Sequence, residues 1–591
     1  MELSQYVINS IASITHLNED HHWEVVSTLK QASSMADNAC DSHTLAIISG
    51  ALSMSYSTET DQFTPLIQLS SGQRSFAPED LSELDIEVLK NAAVIIETSW
   101  MQARLFHIIW IFTNDYQYGQ SAVNGYLRLF EETFNPDQWV DCWDAIERAY
   151  HISIKLGKKS TQYKQTRTTI NQKLVLMNGT DPLFLSLQLL QLMIKDATQS
   201  ELEVYLLVIN NLSSKNICVS NSNTHLADET YAVQAQILRK LKKSEDITTA
   251  TLIYADYYAA IADSLAEDND YQRAVIMLKK ACAQYHNANS GKLLPMRHKL
   301  ESLQEKALQS MQAIPFEFDA TRIHKRVDNL FTGLSLQETI VQLGRLATTY
   351  NKDDVKSRVL EKNRTYVFSS FFGKSLLDEK GHVVQKLPPL NTSTPNPDVL
   401  LMHMFHYVTE QRSLIDSIAL RHAFGFVRNF GAISEADLDF LVCDNAIIPD
   451  SRLEIIKEGL YLGLTGRLYT AMHILLPQTE NIFRYLVKMC GDTVTFLDKE
   501  DGTEHYKPLS ALFNSEKLRE CYDENLLFTF QSILNEEIGE NLRNLNAHGI
   551  LEPQTGNGSS ALCFLCLFIK LLSLYGKHTI PIMNALSQRD M

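Results

Sequence analysis

Residues 540–551, ENLRNLNAHGIL, hold an arginine, an asparagine, a histidine and a glycine within one short stretch. Arg543 offers a planar fork of N–H donors that matches phosphate oxygens. His548 carries the side chain that most readily takes or gives a proton near neutral pH. Asn544 can orient a phosphate or an imidazole, and Gly549 is typical of the residue that ends a helix. Together these residue types predict a catalytic site that acts on phosphate groups.

The same stretch also has a purely structural interpretation. Arg543 would pair with Glu540 or Glu537 across one helical turn, and His548 would be a polar helix end. On an ideal helix Arg543 and His548 would also not share one face. Five positions turn through about 500°, which leaves the two side chains roughly 140° apart around the helix axis. Either the last helical turn frays at Gly549, or a second copy of the chain completes the site.

Net charge limits the partners of the chain. Among 591 residues, 53 are basic and 70 acidic, so the formal net charge is −17. Phosphate backbones repel such a chain at long range, which argues against broad coating of nucleic acid. Residues 148–173 are an exception, with seven Lys or Arg residues and no Asp or Glu. This run is either an RNA-facing surface or an ordinary solvated helix end and loop.

Candidate RNA-binding residues are taken from two places. Glu480 and Arg484 are spaced i,i+4, which is also the spacing of a surface ion pair. The candidates are Lys158, Lys159, Lys164 and Arg167 in the basic run, together with Glu480 and Arg484.

Cysteine usage and the N-terminus indicate a reduced, cytoplasmic protein. The nine cysteines are scattered, and the first residues lack the pattern of a signal peptide. Cys563 and Cys566 form a C-x-x-C that we interpret as core packing, because no second ligand pair lies near it. We therefore expect no metal and no cofactor. Lys570 interrupts the apolar stretch at 560–575, which predicts a buried helix and no membrane span.

Periodicity along the chain predicts an all-α protein. Apolar residues recur at three- and four-residue spacing, and glycine and proline are sparse. We expect a multidomain helical array followed by a C-terminal helical bundle with a small β-hairpin insertion. The predicted domains are an N-terminal helical domain at 1–175, a helical-repeat-like domain at 176–310, a connecting region with a proline-rich loop at 311–397, and the C-terminal domain at 398–591.

A short internal repeat supports the helical array. NDYQ occurs at 114–117 and again at 269–272, each time between two predicted helices. The second copy follows an alanine-rich stretch and resembles a tetratricopeptide hairpin, in which Ala262 and Ala274 would let the helices approach closely. Two unrelated helical hairpins would explain the repeat equally well.

Local signals in the C-terminal domain give further predictions. One apolar stripe runs along residues 453–468, Pro477 suits the first turn of the next helix, and Gly491 can end that helix. Asp501-Gly502 predicts the turn of a β-hairpin. Residues 524–548 are predicted as one helix.

The pattern Arg543-Asn-x-x-x-His548-Gly549 resembles the R-x(4–6)-H signature of the HEPN superfamily (higher eukaryotes and prokaryotes nucleotide-binding). More narrowly, it is similar to the branch of domains of unknown function marked by RNxxxHG. The resemblance is clearest over the last 140 or so residues, and includes the stretch 471–487. Ile550 stands where some HEPN toxins carry a tyrosine that a partner enzyme modifies, so that mode of silencing is not expected here.

The resemblance implies a HEPN-like bundle and a metal-independent endoribonuclease that cleaves RNA by attack of the ribose 2′-hydroxyl. Arg543, His548 and Asn544 would be the catalytic residues, and a homodimer would hold the site. A toxin or effector in defence against phage is the role suggested by analogy, with a protein partner bound by the N-terminal helical region. The alternative is a noncatalytic helical scaffold or an RNA- or nucleotide-binding interaction protein.

Overall fold

The computed structural model describes residues 3–17, 21–57, 60, 62–69, 73–216, 224–312, 317–366, 371–498 and 501–589. Within these residues the chain is helical almost throughout, and the only sheets are three two-stranded antiparallel ones. The predicted all-α fold class is therefore confirmed. The chain divides into two compact units, Met1–Ala307 and Leu308–Met591. Of the helices in these described ranges, none is both long and apolar enough to cross a bilayer.

The first unit is a succession of helices with one small hairpin, Ser55–Ser57 paired with Gln62–Thr64. Its helices are Gln5–Ala12, His22–Met35, Ala39–Ser53, Glu83–Ile95, Ser99–Thr113, Tyr116–Thr133, Val140–Lys155, Thr161–Met177, Leu185–Met193, Gln199–Asn216, Thr224–Lys240, Ser244–Glu267, Tyr271–Asn287 and Leu293–Ser310, the last of which continues past the division.

One hydrophobic core runs through the first unit from Val7 to Leu241. The domain boundary predicted at residue 175 does not separate two cores, because it falls inside helix Thr161–Met177. That helix places Leu174 in this core together with residues on both sides of the boundary.

The NDYQ repeat has a structural explanation in both copies. Asn114 and Asn269 adopt left-handed backbone conformations, with φ of 52° and 61°, which terminates the preceding helix. Asp115 and Asp270 then cap the next helix by accepting a backbone N–H in its first turn. Each copy therefore closes a tight connection between two packed helices.

The predicted hairpin around the second copy is present. Helices Ser244–Glu267 and Tyr271–Asn287 pack against each other, and Ala262 and Ala274 are fully buried between tyrosines such as Tyr258. Small side chains at these positions allow the close approach that the sequence predicts.

The second unit contains two β-hairpins among its helices. One pairs Lys374–Leu377 with Val383–Leu387, and the other pairs Thr495–Leu497 with Glu504–Tyr506. Its α-helices are Thr321–Phe331, Leu336–Leu346, Lys352–Thr365, Pro397–Gln411, Ser417–Arg428, Asp439–Val442, Leu453–Leu464, Leu468–Met489, Leu509–Phe513, Glu516–Cys521, Glu524–Leu534, Leu542–Ala547, Pro553–Gly556, Ser559–Tyr575 and Thr579–Arg589, and a π-helical turn spans Arg412–Asp416.

Helix Ser559–Tyr575 lies at the centre of the second core. It buries residues around almost its whole circumference, including Cys563 and Cys566, so the C-x-x-C is core packing as predicted. Burial raises the pKa of the Cys563 thiol to about 12. Apolar residues inside a helix bundle form such all-round buried helices without a membrane.

The region 311–397 differs from the predicted connecting region. Helices Thr321–Phe331 and Leu336–Leu346 contribute Phe331 and Ile340 to the second core. These two amphipathic helices therefore belong to the second core and not to a connecting region. The proline-rich stretch begins only after them.

Two predictions about the helices after residue 453 are wrong. The apolar stripe does not continue to Leu468, because the chain turns at Gly466, with φ of 90°, and Leu468 begins a new helix. Pro477 does not begin a helix but lies inside Leu468–Met489, on its exposed side. Buried residues on both sides of the proline, Leu475 and Ile482 among them, pack in one core and keep the helix continuous. The predicted turn at Asp501-Gly502 is confirmed, with Gly502 at φ 74°.

Lys570 is a largely buried charge within the central helix. Its Nζ donates to the carbonyl oxygen of Ala347 at 2.5 Å and to Thr349 Oγ1 at 2.9 Å. Burial lowers the pKa of its ammonium group to about 8, more than nearby carboxylates such as Asp416 raise it. The folded chain therefore releases this proton at a lower pH than the unfolded chain does.

This difference predicts a pH-dependent stability. Between pH 8 and 10.5, the ordinary value for lysine, the unfolded state binds more protons than the folded state, so folding becomes more favourable as the pH rises. The free energy of unfolding of the unaltered chain should rise relative to that of Lys570→Met by up to about 3 kcal/mol across this window. Urea unfolding of both chains near pH 7.5 and pH 10 measures it. If the difference in free energy of unfolding between the two chains does not change with pH, burial does not lower the pKa of Lys570 in the folded chain, contrary to this account.

Candidate active site

The motif lies on a short helix of its own. Helix Glu524–Leu534 ends, the chain turns back, and helix Leu542–Ala547 begins. The turn needs Gly539, because a Cβ there would lie 2.0 Å from the carbonyl oxygen of Ser532. The single helix predicted over 524–548 is therefore wrong, and the residues of the motif are presented on one and a half helical turns.

Gly549 ends the motif helix as predicted. It adopts φ of 69°, its N–H donates to the carbonyl of Asn546 at 3.1 Å, and the N–H of Ile550 donates to the carbonyl of Leu545 at 2.9 Å. This pair of bonds is a Schellman motif, which requires a left-handed residue at the glycine position. His548 is consequently the last residue before the chain reverses, and its side chain is exposed.

Arg543 is held by a carboxylate that lies far from it in sequence. Its Nε donates to Glu480 Oε2 at 2.6 Å, and Arg484 Nη2 donates to the other oxygen of Glu480 at 2.8 Å. Burial alone would raise the pKa of Glu480, but hydrogen bonds from Arg543 and Arg484 lower it below its ordinary value. One carboxylate shared by two guanidinium groups leaves a net positive charge beside the motif helix.

Asn544 connects the arginine to the backbone turn. Its Oδ1 accepts from Arg543 Nη1 at 2.9 Å, and its Nδ2 donates to Asn541 Oδ1 at 2.7 Å and to the carbonyl of Asn535 at 3.4 Å. These bonds fix the orientation of the amide, so Asn544 positions the guanidinium. The imidazole of His548 has no hydrogen-bond partner within the described ranges.

Glu540, the acid predicted as a structural partner of Arg543, is bonded to Arg412 instead. Arg412 also donates to Ser532 Oγ at 2.6 Å, and the side chains of Arg412 and Glu540 are only 2% and 7% exposed. Arg412 begins the π-helical turn Arg412–Asp416, a local irregularity that is frequent at functional sites. The buried pair therefore anchors the chain two residues before the motif helix begins.

A cavity of about 1000 Å³ opens beside the motif helix. Asn544, Leu545 and His548 line one side of it, and the first β-hairpin of the second unit lines the other. Arg543 itself is not among the lining residues and contacts the lining through Asn544. Thr555 donates to Glu379 of the hairpin at 2.6 Å, which ties the segment after the motif to the hairpin.

The hairpin brings a second histidine to this cavity. His382 follows the turn between the strands, and its Nδ1 lies 2.8 Å from Asp378 Oδ2. Strand Val383–Leu387 lies within the region 311–397, for which the sequence predicts a connecting region with a proline-rich loop, and it corrects that prediction. Burial of Leu387 in a small apolar cluster with Phe405 and Ile538 explains why this stretch is ordered as a strand beside the motif. The sequence feature that could have pointed to this histidine is the aspartate four residues before it.

Charged side chains around the cavity are mostly acidic. Lys380 is the only lysine or arginine among the lining residues, and Glu540 is neutralised by Arg412. The lining carboxylates are those of Asp378, Glu379, Glu537, Glu540 and Glu552. An anionic ligand would therefore be recognised here through particular donors rather than through long-range attraction.

The candidate residues of the basic run lie in the first unit and are partly neutralised there. Lys158 pairs with Asp196 at 2.5 Å, and Arg167, which is buried, pairs with Glu201 at 2.6 Å. The remaining candidates of this run, Lys159 and Lys164, are exposed. Acids from other helices thus interrupt a run that is purely basic in sequence.

Residues 6–165 match the model of a family described as a domain of unknown function (DUF7380). The match lies within the first unit and covers neither the motif helix nor the hairpin. No curated protein matches the chain, and no solved structure matches it. The resemblance of residues 543–549 to the HEPN signature therefore stays a prediction.

The buried pair of Arg412 and Glu540 generates a prediction. Arg412→Ala leaves the carboxylate buried without a counter-charge, so it should lower the free energy of unfolding by about 3–5 kcal/mol. The double variant Arg412→Met/Glu540→Leu removes both charges and should recover most of that loss. Chemical denaturation of the three chains provides the comparison. A loss below about 1 kcal/mol in Arg412→Ala would show that the pair does not anchor the segment.

Proposed function

We propose that the second unit is a metal-independent endoribonuclease that cleaves RNA by attack of the ribose 2′-hydroxyl on the adjacent phosphate. The observation that supports this most directly is the arrangement of the motif helix. His548 lines a large cavity with its ring unpartnered among the described residues, and Glu480 and Asn544 hold the guanidinium of Arg543 near the start of the same short helix. The fork of donors and the proton-transferring ring are the two groups that such a reaction needs.

The chemistry follows from these side chains. The 2′-oxygen loses its proton and attacks phosphorus, the bond from phosphorus to the 5′-oxygen breaks, and the leaving oxygen gains a proton. The products are a 2′,3′-cyclic phosphate and a 5′-hydroxyl. His548 transfers one of these protons, and Arg543 stabilises the charge that builds on the phosphate oxygens. Glu480 and Asn544 accept from Nε and Nη1 of Arg543, and Nη2 has no hydrogen-bond partner among the residues that the structure describes.

Single-stranded RNA is the substrate class that suits the surroundings. The lining carboxylates can accept hydrogen bonds from base amino groups, and the Watson–Crick edges that carry these groups are free for such contacts when the bases are unpaired. Tyr506 is 71% exposed, and Arg484 lies over its ring at 5.2 Å, so an aromatic face for base stacking adjoins the ion pair with Glu480.

The biological role and the assembly are proposed on the resemblance alone. RNA cleavage that arrests growth during phage infection is the role it suggests, and a homodimer is the assembly. The helical first unit would then be the part that senses a trigger or binds a partner.

Purified full chain should cleave single-stranded RNA in the presence of EDTA, and a DNA of the same sequence should stay intact because it lacks the 2′-hydroxyl. His548→Ala and Arg543→Ala should each lower the cleavage rate by at least about 100-fold, since each removes a group that acts in the transition state. Gel analysis of end-labelled oligonucleotides measures the rates.

His578→Ala is the matched control, because His578 is a half-exposed histidine of the same unit that pairs with Asp444 and does not line the cavity. It should leave the rate unchanged. Cleavage that requires added Mg²⁺, or that persists at the full rate in His548→Ala, would contradict the proposed mechanism.

A further inference from the structure

His382 is built as a proton acceptor that faces the same cavity as His548. Its Nδ1 lies 2.8 Å from Asp378 Oδ2, and its backbone N–H donates to Asp378 Oδ1 at 2.8 Å. The backbone N–H of Lys380 donates to the same oxygen at 2.9 Å. Three bonds therefore hold one carboxylate against one imidazole at the turn of the hairpin.

Asp378 remains a carboxylate under these conditions. Burial alone would raise its pKa, but the hydrogen bonds from His382 and Lys380 lower it below the ordinary value. A carboxylate at Nδ1 keeps the ring proton on that nitrogen, which leaves the lone pair on Nε2. It also stabilises the imidazolium that forms when Nε2 takes a proton. Nε2 of His382 has no hydrogen-bond partner in the described part of the chain.

We infer that His382 is the general base and His548 the general acid of one reaction centre formed within a single chain. This inference rests on the ribonuclease activity proposed above. His382 Nε2 takes the proton of the 2′-hydroxyl, and the 2′-oxygen forms its bond to phosphorus. The bond from phosphorus to the 5′-oxygen breaks, and the imidazolium of His548 gives that oxygen its proton. No proton is gained or lost overall, and the two rings exchange protonation states.

With both histidines supplied by one chain, a second copy is no longer needed to provide the base or the acid. The motif alone supplies one histidine, so without another ring a second copy of the chain would be needed to provide both a base and an acid. The hairpin supplies the second ring from the same unit, and the bond between Thr555 and Glu379 connects the two sides of the cavity. Asp378 is then a positioning residue, because it acts through His382.

Two substrates separate the roles of the histidines. The first is a single-stranded RNA oligonucleotide, and the second is uridine 3′-(4-nitrophenyl phosphate), whose leaving group departs without a proton. In full-length chain, His382→Ala and His382→Gln should each lose at least about 100-fold on both substrates. His548→Ala should lose as much on RNA but stay within about tenfold of the unaltered chain on the nitrophenyl ester. His382→Gln keeps an amide that can bond Asp378, which preserves the turn.

Lys386→Ala is the control from the same hairpin, because Lys386 is exposed and does not line the cavity, and it should leave both rates unchanged. If both His382 variants cleave RNA at the full rate, the inference is overturned while the proposed function stands. The reverse pattern, in which His548→Ala loses the ester and the His382 variants keep it, would overturn the assignment of the base. No cleavage of RNA by the unaltered chain would overturn the proposed function itself, and the inference with it.

Mixing provides an independent test of the single chain. His382→Ala and His548→Ala, each inactive alone, should remain inactive on RNA when mixed and incubated together, because neither chain holds both rings. Recovery of a quarter or more of the unaltered rate would show that the two histidines come from different copies.

Discussion

Burying a charge inside a protein is costly unless an opposite charge meets it, and this requirement sets the position of the candidate site. Arg412 is almost completely enclosed in the second unit, and the carboxylate that neutralises it belongs to Glu540. The chain does not continue the helix that ends at Leu534 as far as Glu540, whose carboxylate meets Arg412. It turns back at Gly539 and starts a short new helix. The position of the motif helix therefore depends on the ion pair between Arg412 and Glu540.

The fixed turn decides which partners the catalytic candidates have. With Glu540 bonded to Arg412, Arg543 bonds to Glu480 on the long helix Leu468–Met489. The helix ends at His548, directly before the reversal at Gly549, and His548 is one of the residues that line the cavity.

Sequence alone predicts the parts that depend on local pattern. The all-α class, the helical hairpin around the second NDYQ copy, the turn at Asp501-Gly502 and the end of the motif helix at Gly549 all follow from residue types at fixed spacing. The pairings of Arg543 with Glu480 and of Arg412 with Glu540 join residues more than sixty positions apart, and no local pattern encodes them. His382 is not among the site residues that the sequence predicts for a related reason, since proline-rich composition hides a strand that pairing with Lys374–Leu377 and burial of Leu387 stabilise.

Proton transfer by His548 is tested most directly by mapping RNA ends in cells. The full chain and His548→Ala are expressed briefly at equal levels, and RNA fragments with 2′,3′-cyclic phosphate and 5′-hydroxyl ends are sequenced. New ends of both kinds should accumulate with the unaltered chain and be absent with His548→Ala. Equal numbers of such ends in the two samples would contradict the assignment of His548 as a catalytic residue.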